Sequence, residues 1–147
     1  MTLKNRLTDL FKKEEKKTKK ASRFKLGSKS RRALNGVHPD LVRVVERAIT
    51  LTKKDFTVIE GLRTRERQRE LVRRGASRTM NSRHLTGHAV DITPYPISWD
   101  WDDGYYDIAD AMKEAARLEG VEIEWGGDWR TFKDGPHWQL PRSAYPT

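Results

Sequence analysis

Two short motifs, far apart in the chain, constrain its fold more than any other feature. Ser82-Arg83-His84-Leu85-Thr86-Gly87-His88-Ala89-Val90-Asp91 carries two histidines and an aspartate, and Asp134-Gly135-Pro136-His137-Trp138-Gln139 carries a third histidine. His84, Asp91 and His137 offer two neutral imidazoles and one carboxylate. That is a borderline-soft, singly charged ligand set which suits zinc and leaves a fourth position for water. Asp134, three positions before His137, can handle the proton of that water. The set reads as a hydrolytic zinc centre, and the fold must bring both segments to one place.

Ligands on one helix face recur every three or four residues, so the seven-residue step from His84 to Asp91 needs a loop leading into a strand. Gly87 between them allows the turn and a close approach to the backbone. His88 is a competing ligand. It lies an odd number of positions from Asp91, on the other face of a strand, which assigns it to the core or to the support of the ligands. Asp-Gly is also a common turn pair, so Asp134 gains its candidacy as general base only from His137 nearby. Glu124, before Trp125-Gly126-Gly127, is the reserve base. Arg63, in Glu60-Gly61-Leu62-Arg63-Thr64, is the candidate to stabilise a developing oxyanion. Trp125, Trp129 and Trp138 flank the second motif, and the Gly126-Gly127 pair suggests an open groove wall.

The elements around these motifs can be read from periodicity and caps. Pro39 and Asp40 mark a helix start, and Leu41, Val44, Val45, Ala48 and Ile49 follow a 3.6-residue period. Phe56–Ile59 reads as a strand ended by Gly61. Thr64 caps an arginine-rich helix through Leu71 and Val72, which Gly75 ends. Gly87–Ile92 alternates like a strand, with Asp91 and Ala89 on one face and Val90 and Ile92 on the other; Pro94 and Pro96 stop it. Ile108, Met112, Ala115, Ala116 and Leu118 give a third helix closed by Gly120. Val121–Trp125 and Trp138–Leu140 are the last strand candidates. About three helices with a few short strands, and no regular βαβ alternation, predict an α+β fold with a small, mainly antiparallel sheet carrying the zinc site.

The 147 residues suffice for one domain with a real core. No cysteine is present, which excludes disulfides and thiolate metal sites. The net charge of +9 is not spread evenly. Residues 1–32 hold 13 Lys/Arg against 3 Asp/Glu, and the remainder holds 17 against 18. Residues 1–23 are therefore expected to be a basic, flexible extension and residues 24–147 the catalytic domain, with order beginning near Phe24 or Leu34. Leu3, Leu7, Leu10 and Phe11 have the spacing of a short amphipathic helix on a surface; beside a solubilising tail, the alternatives for this segment are attraction to an anionic envelope, a lipid surface or nucleic acid. No apolar run is long enough to span a bilayer, and the N-terminus lacks the apolar stretch of a secretory signal.

Four motifs in order carry a resemblance. Gly61-Leu62-Arg63-Thr64, Ser82-x-His84-x-x-Gly87-x-Ala89-x-Asp91, Trp125-Gly126-Gly127-Asp128-Trp129 and Asp134-x-Pro136-His137-Trp138-Gln139 together resemble the zinc L-alanyl-D-glutamate peptidases, many of them phage endolysins. These belong to the metallopeptidase group that includes D-alanyl-D-alanine carboxypeptidases, with a hedgehog/DD-peptidase-like fold. Gly36-Val37-His38-Pro39-Asp40-Leu41 looks like the usual start of such domains. The resemblance implies that His84, Asp91 and His137 bind zinc, that Asp134 is the general base and acid, and that Arg63 orients or polarises the scissile carbonyl. It implies peptidoglycan stem peptides as substrate, no specific nucleic acid partner and a monomer. The enzyme would be made in the cytoplasm without a signal peptide and act on the cell wall after release. The alternatives are a carboxypeptidase that trims D-alanine, and a zinc module without activity.

Overall fold

The computed structural model describes residues 23–147; the expected N-terminal amphipathic helix and most of the basic extension lie outside them. Four helices and four strands follow in the order α1 (Ser28–Ala33), α2 (Pro39–Leu51), β1 (Phe56–Glu60), α3 (Arg65–Arg73), β2 (Ala89–Pro94), α4 (Tyr105–Glu119), β3 (Glu124–Trp125) and β4 (His137–Gln139). Short 3-10 turns lie at Arg83–Thr86 and Gly126–Asp128. The strands form one sheet in the order β1-β2-β4-β3, antiparallel throughout. The α+β class with a small antiparallel sheet is as expected.

Caps set the helix boundaries much as the sequence implies. The His38 ring accepts from the Asp40 backbone N–H at 3.0 Å ahead of Pro39, and Thr64 Oγ1 accepts from Arg67 N at 3.1 Å. The apolar stripe of α2 (Leu41, Val44, Val45, Ala48, Ile49) is buried against α4, where Ile108, Met112, Ala115 and Ala116 answer it. Val58, Val90, Ile92, Trp125 and Trp138 supply the sheet's core face, with the Trp125 and Trp138 rings stacked at 5.5 Å. Each such side chain, fully buried, contributes about 1.5–3 kcal/mol of apolar transfer free energy.

Several elements differ from the expectation. Helix α1 has no apolar period, because its job is polar: Ser30 Oγ, fully buried, meets Thr57 Oγ1 at 3.2 Å and accepts from Val58 N at 2.9 Å. It thereby covers the outer edge of β1. The strand expected at Val121–Trp125 is only Glu124–Trp125, since Val121 N still bonds back to Ala116 O at the end of α4 (2.9 Å). The last strand begins one residue earlier than expected, at His137, and Pro94 ends β2 from inside it.

The strand β1 is irregular in a way that matters. Phe56, Thr57 and Val58 pair with Pro94, Thr93 and Ile92, but Glu60 pairs with Asp91, so one residue is looped out between Val58 and Glu60. Strict alternation would send Glu60 to the core face with Val58. The bulge turns it to the Asp91 face instead.

The C-terminus is clasped by Arg83, which is only 4% exposed. Its guanidinium donates to the carbonyls of Leu140 (3.1 and 2.8 Å) and Tyr145 (2.9 Å) and to Thr147 Oγ1 (2.7 Å). Tyr145 in turn donates to Asp40 Oδ2 at 2.6 Å. That bond, joined by Arg43 and opposed by slight burial, holds the Asp40 carboxyl below its ordinary pKa. Its stabilising contribution is present above the unfolded-state pKa and is lost as pH falls through the depressed folded value. Tyr145→Phe should let the Asp40 pKa rise toward the ordinary carboxylate value in an NMR titration, with the fold retained.

Gly87 occupies the left-handed region at φ +75°, accepts a hydrogen bond from His38 N–H at its carbonyl oxygen (2.8 Å), and with a Cβ would collide with the Gly36 carbonyl. Gly87→Ala should cost about 2–4 kcal/mol in denaturant unfolding, from backbone strain and that collision.

Candidate metal centre and cleft

The pairing of β2 with β4 sets Asp91 directly opposite His137. The 3-10 turn Arg83–Thr86, capped by Ser82 Oγ, delivers His84 to the same place. His84 Nε2 lies 3.2 Å and His137 Nδ1 3.4 Å from Asp91 Oδ1. One ligand atom from each residue lies within 4.8 Å of the others, and this is the metal-competent group found among the described residues. Metal–ligand distances of about 2.0–2.1 Å in a tetrahedron put neighbouring ligand atoms roughly 3.4 Å apart, so the spacing fits a small divalent ion.

Each imidazole is oriented from behind. His84 Nδ1 lies 2.8 Å from the Gly61 carbonyl oxygen, which can only accept, so this nitrogen carries the proton and Nε2 faces the metal position. His137 uses the opposite nitrogens. Its Nε2 donates to Gln139 Oε1 at 2.8 Å, and Gln139 Nε2 donates to Glu124 Oε2 at 2.9 Å. Both tautomers are thus imposed by neighbouring groups.

The two nearby carboxylates are driven apart. Burial works against ionising Asp91, but the hydrogen bonds and charges of His137 and His84 prevail and hold its pKa well below the ordinary value. Asp134 is pushed up, first by burial of its carboxyl and then by the charge of Asp91, against the pull of His137, His84 and Arg63. An ionised ligand beside a carboxylate of raised pKa is the division of labour that acid–base chemistry needs. Asp134 is placed by its backbone: its N–H bonds Gly126 O (3.0 Å) and its carbonyl receives His137 N (3.2 Å).

Arg63 is largely buried at the cleft wall. Its Nε and Nη2 donate to Glu60 at 2.7 and 2.8 Å, its Nη1 donates to Gln68 Oε1 at 2.7 Å, and its Nη2 lies 3.6 Å from Asp91 Oδ2. Gln68 is fully buried and tied to Ser77 Oγ and the Thr79 carbonyl, so the guanidinium is held from two sides. All five candidates line one open cleft of about 570 Å³: His84, Asp91, His137, Asp134 and Arg63.

Other expectations shift. His88 is neither core nor beside the ligands; it is half-buried, bonds Thr86 Oγ1 at 2.8 Å, and stacks near His38 (5.3 Å) and Tyr145 (6.4 Å). Glu124 does not line the cleft but anchors Gln139. Gly126 and Gly127 are buried, and a Cβ at Gly126 would meet the Asp134 backbone, so the pair makes a close packing contact rather than an open wall. Of the flanking tryptophans, Trp125 and Trp138 are core. Trp129 faces the cleft, 5.2 Å from the His137 ring. Gln139, Gln68 and Glu60 escaped the sequence reading. Gln139 alone carried a signal, as it shares a strand face with His137.

The family model for phage L-alanyl-D-glutamate peptidases matches residues 22–139. The chain belongs to that family. It is 31% identical over 128 residues to the L-alanyl-D-glutamate peptidase of Escherichia phage T5, covering 83% of this chain and 93% of that protein. The Bacillus subtilis peptidoglycan L-alanyl-D-glutamate endopeptidase CwlK is 30% identical over 101 residues, 58% of this chain and 60% of that one. The crystal structure of the Serratia marcescens L-Ala D-Glu endopeptidase ChiX superposes with a TM-score of 0.79 at 52% identity, over 84% of this chain and 94% of the other.

The tautomer imposed on His137 gives a test for this peptidase-family site. Gln139→Leu should weaken metal binding about 10–100-fold in a competition titration against a chromophoric chelator, with the thermal transition of the apo-protein little changed.

Proposed function

We propose that the chain is a zinc-dependent peptidoglycan endopeptidase that hydrolyses the bond between L-alanine and D-glutamate in stem peptides, as a phage-type endolysin does. The observation that carries this reading is the convergence of His84, Asp91 and His137 with Asp134 and Arg63 on one cleft in a member of this family. Two imidazoles and a carboxylate at tetrahedral spacing favour zinc among the common divalent ions. When bound there, zinc supplies Lewis acidity that polarises the scissile carbonyl and acidifies water.

The chain's own groups do the rest. Asp134 Oδ takes the proton of the attacking water and later delivers it to the amine of the departing glutamate, a role its raised pKa suits. Arg63 offers Nη hydrogens beyond those bound to Glu60 and Gln68, and these stabilise negative charge growing on the carbonyl oxygen. Its charge is kept by Glu60 and Asp91, which outweigh the cost of burial. Gly61 O and Gln139 hold the imidazoles still while the proton moves. No helix of the described residues is long and apolar enough to cross a membrane. We place the enzyme in the cytoplasm when made and at the cell wall after release, with residues 1–23 as a basic extension that favours an anionic envelope.

Purified peptidoglycan digested with zinc-loaded protein should yield fragments with new N-terminal D-glutamate by mass spectrometry. Asp134→Ala should keep its zinc and lose at least about 100-fold in rate, and Arg63→Ala should lose about 100–1,000-fold. Released D-alanine instead would make the protein a carboxypeptidase, and no fragment from several wall types would reject peptidase activity.

A further inference from the structure

The cleft holds one charge that no carboxylate among the described residues balances. Three arginines line it: Arg63, Arg83 and Arg142. Arg63 is held by Glu60 and Gln68 beside Asp91, and its remaining Nη hydrogens are assigned to the oxyanion. Arg83 is buried and spends its donors on Leu140, Tyr145 and Thr147. Arg142 is exposed and makes one hydrogen bond, from Nη2 to the Asn81 carbonyl at 2.7 Å. No carboxylate among the described residues pairs with it. The three acidic residues of the cleft are already assigned as well, Glu60 to Arg63, Asp91 to the metal position and Asp134 to proton transfer.

The proposed substrate carries a matching charge. A glutamyl residue within a peptide uses one carboxyl to continue the chain and keeps the other. Here the glutamate supplies its amine to the scissile bond, so its free carboxylate lies only a few bonds from the reacting nitrogen. Arg142 stands on the cleft wall formed by Asn81 and Ser82, immediately before the turn that delivers His84. The Asn81 bond takes one N–H of an exposed, cleft-lining guanidinium, whose planar fork suits a carboxylate. It also lies beyond residue 139, where the family match ends.

We propose that Arg142 is a specificity-determining residue that binds the free carboxylate of the glutamate on the leaving side of the scissile bond. This rests on the L-alanyl–D-glutamate reading above. The contact forms before the reaction and persists through it, so it acts mainly on KM.

The test uses two synthetic stem peptides that differ only in this group, one with the free carboxylate and one with the corresponding primary amide. Zinc-loaded wild type should prefer the acid by about 10–100-fold in kcat/KM, the range of a charge-assisted hydrogen bond. Arg142→Ala should lower kcat/KM on the acid to near the amide value and change the amide rate by less than about twofold. Arg142→Lys, which keeps the charge but not the fork, should retain part of the preference. Three results would overturn the proposal: no preference in the wild type, no effect of Arg142→Ala on the acid, or an equal loss on both peptides, which would mark a structural role through Asn81. Wild type that cleaves neither peptide would sink the peptidase reading and this proposal with it. Failure of the proposal alone leaves wild-type cleavage intact.

Discussion

The antiparallel pairing of β2 with β4 is the constraint on which the rest depends. Its register sets Asp91 opposite His137 and Val90 opposite Trp138, so the same backbone ladder positions two candidate metal ligands on one face and two core side chains on the other. Because side chains alternate, a slip of one residue would bury the ligands and expose the core. The site therefore inherits its precision from the hydrophobic interior: Val90, Ile92 and Trp138 fix a register that the ligands alone could not.

On that frame the chain fixes the chemical state of the site with groups that sit behind the candidate ligands. A backbone carbonyl at Gly61 selects one tautomer for His84, and a side-chain amide selects the opposite one for His137. Two aspartates of the same intrinsic acidity become unlike because the imidazoles hold one ionised, while burial first and its neighbour's negative charge second push the other up. The orientation of these groups is built into the fold rather than left to the ligand, which is how electrostatic preorganisation works.

Much of this was legible in the sequence, for definite reasons. The α2 stripe, the Thr64 cap and the alternation across Ala89–Ile92 are local signals that tertiary structure did not override. The five candidate site residues, which the structure brings to one cleft, could be picked out because they sit in compact motifs. What escaped reading was set by contacts distant in sequence. Ser30 earns its helix by capping an edge strand, Gln68 is buried because an arginine needs a second anchor, and Val121 leaves the strand to close α4. His88 was misplaced because its partners, His38 and Tyr145, come from opposite ends of the described chain.

The bulge in β1 separates two demands that a regular strand would couple. Phe56, Thr57 and Val58 keep the pairing the core requires, while the single looped-out residue turns Glu60 toward Asp91 and gives Arg63 its anchor. The one extra residue of the bulge turns a position that would face the core into one that faces the cleft, without disturbing what precedes it. The length of β1 therefore matters to the site as much as its composition does. A deletion there would spare the hydrophobic interior yet strip the arginine of its carboxylate anchor at Glu60, leaving Gln68 to hold it alone on that wall of the cleft.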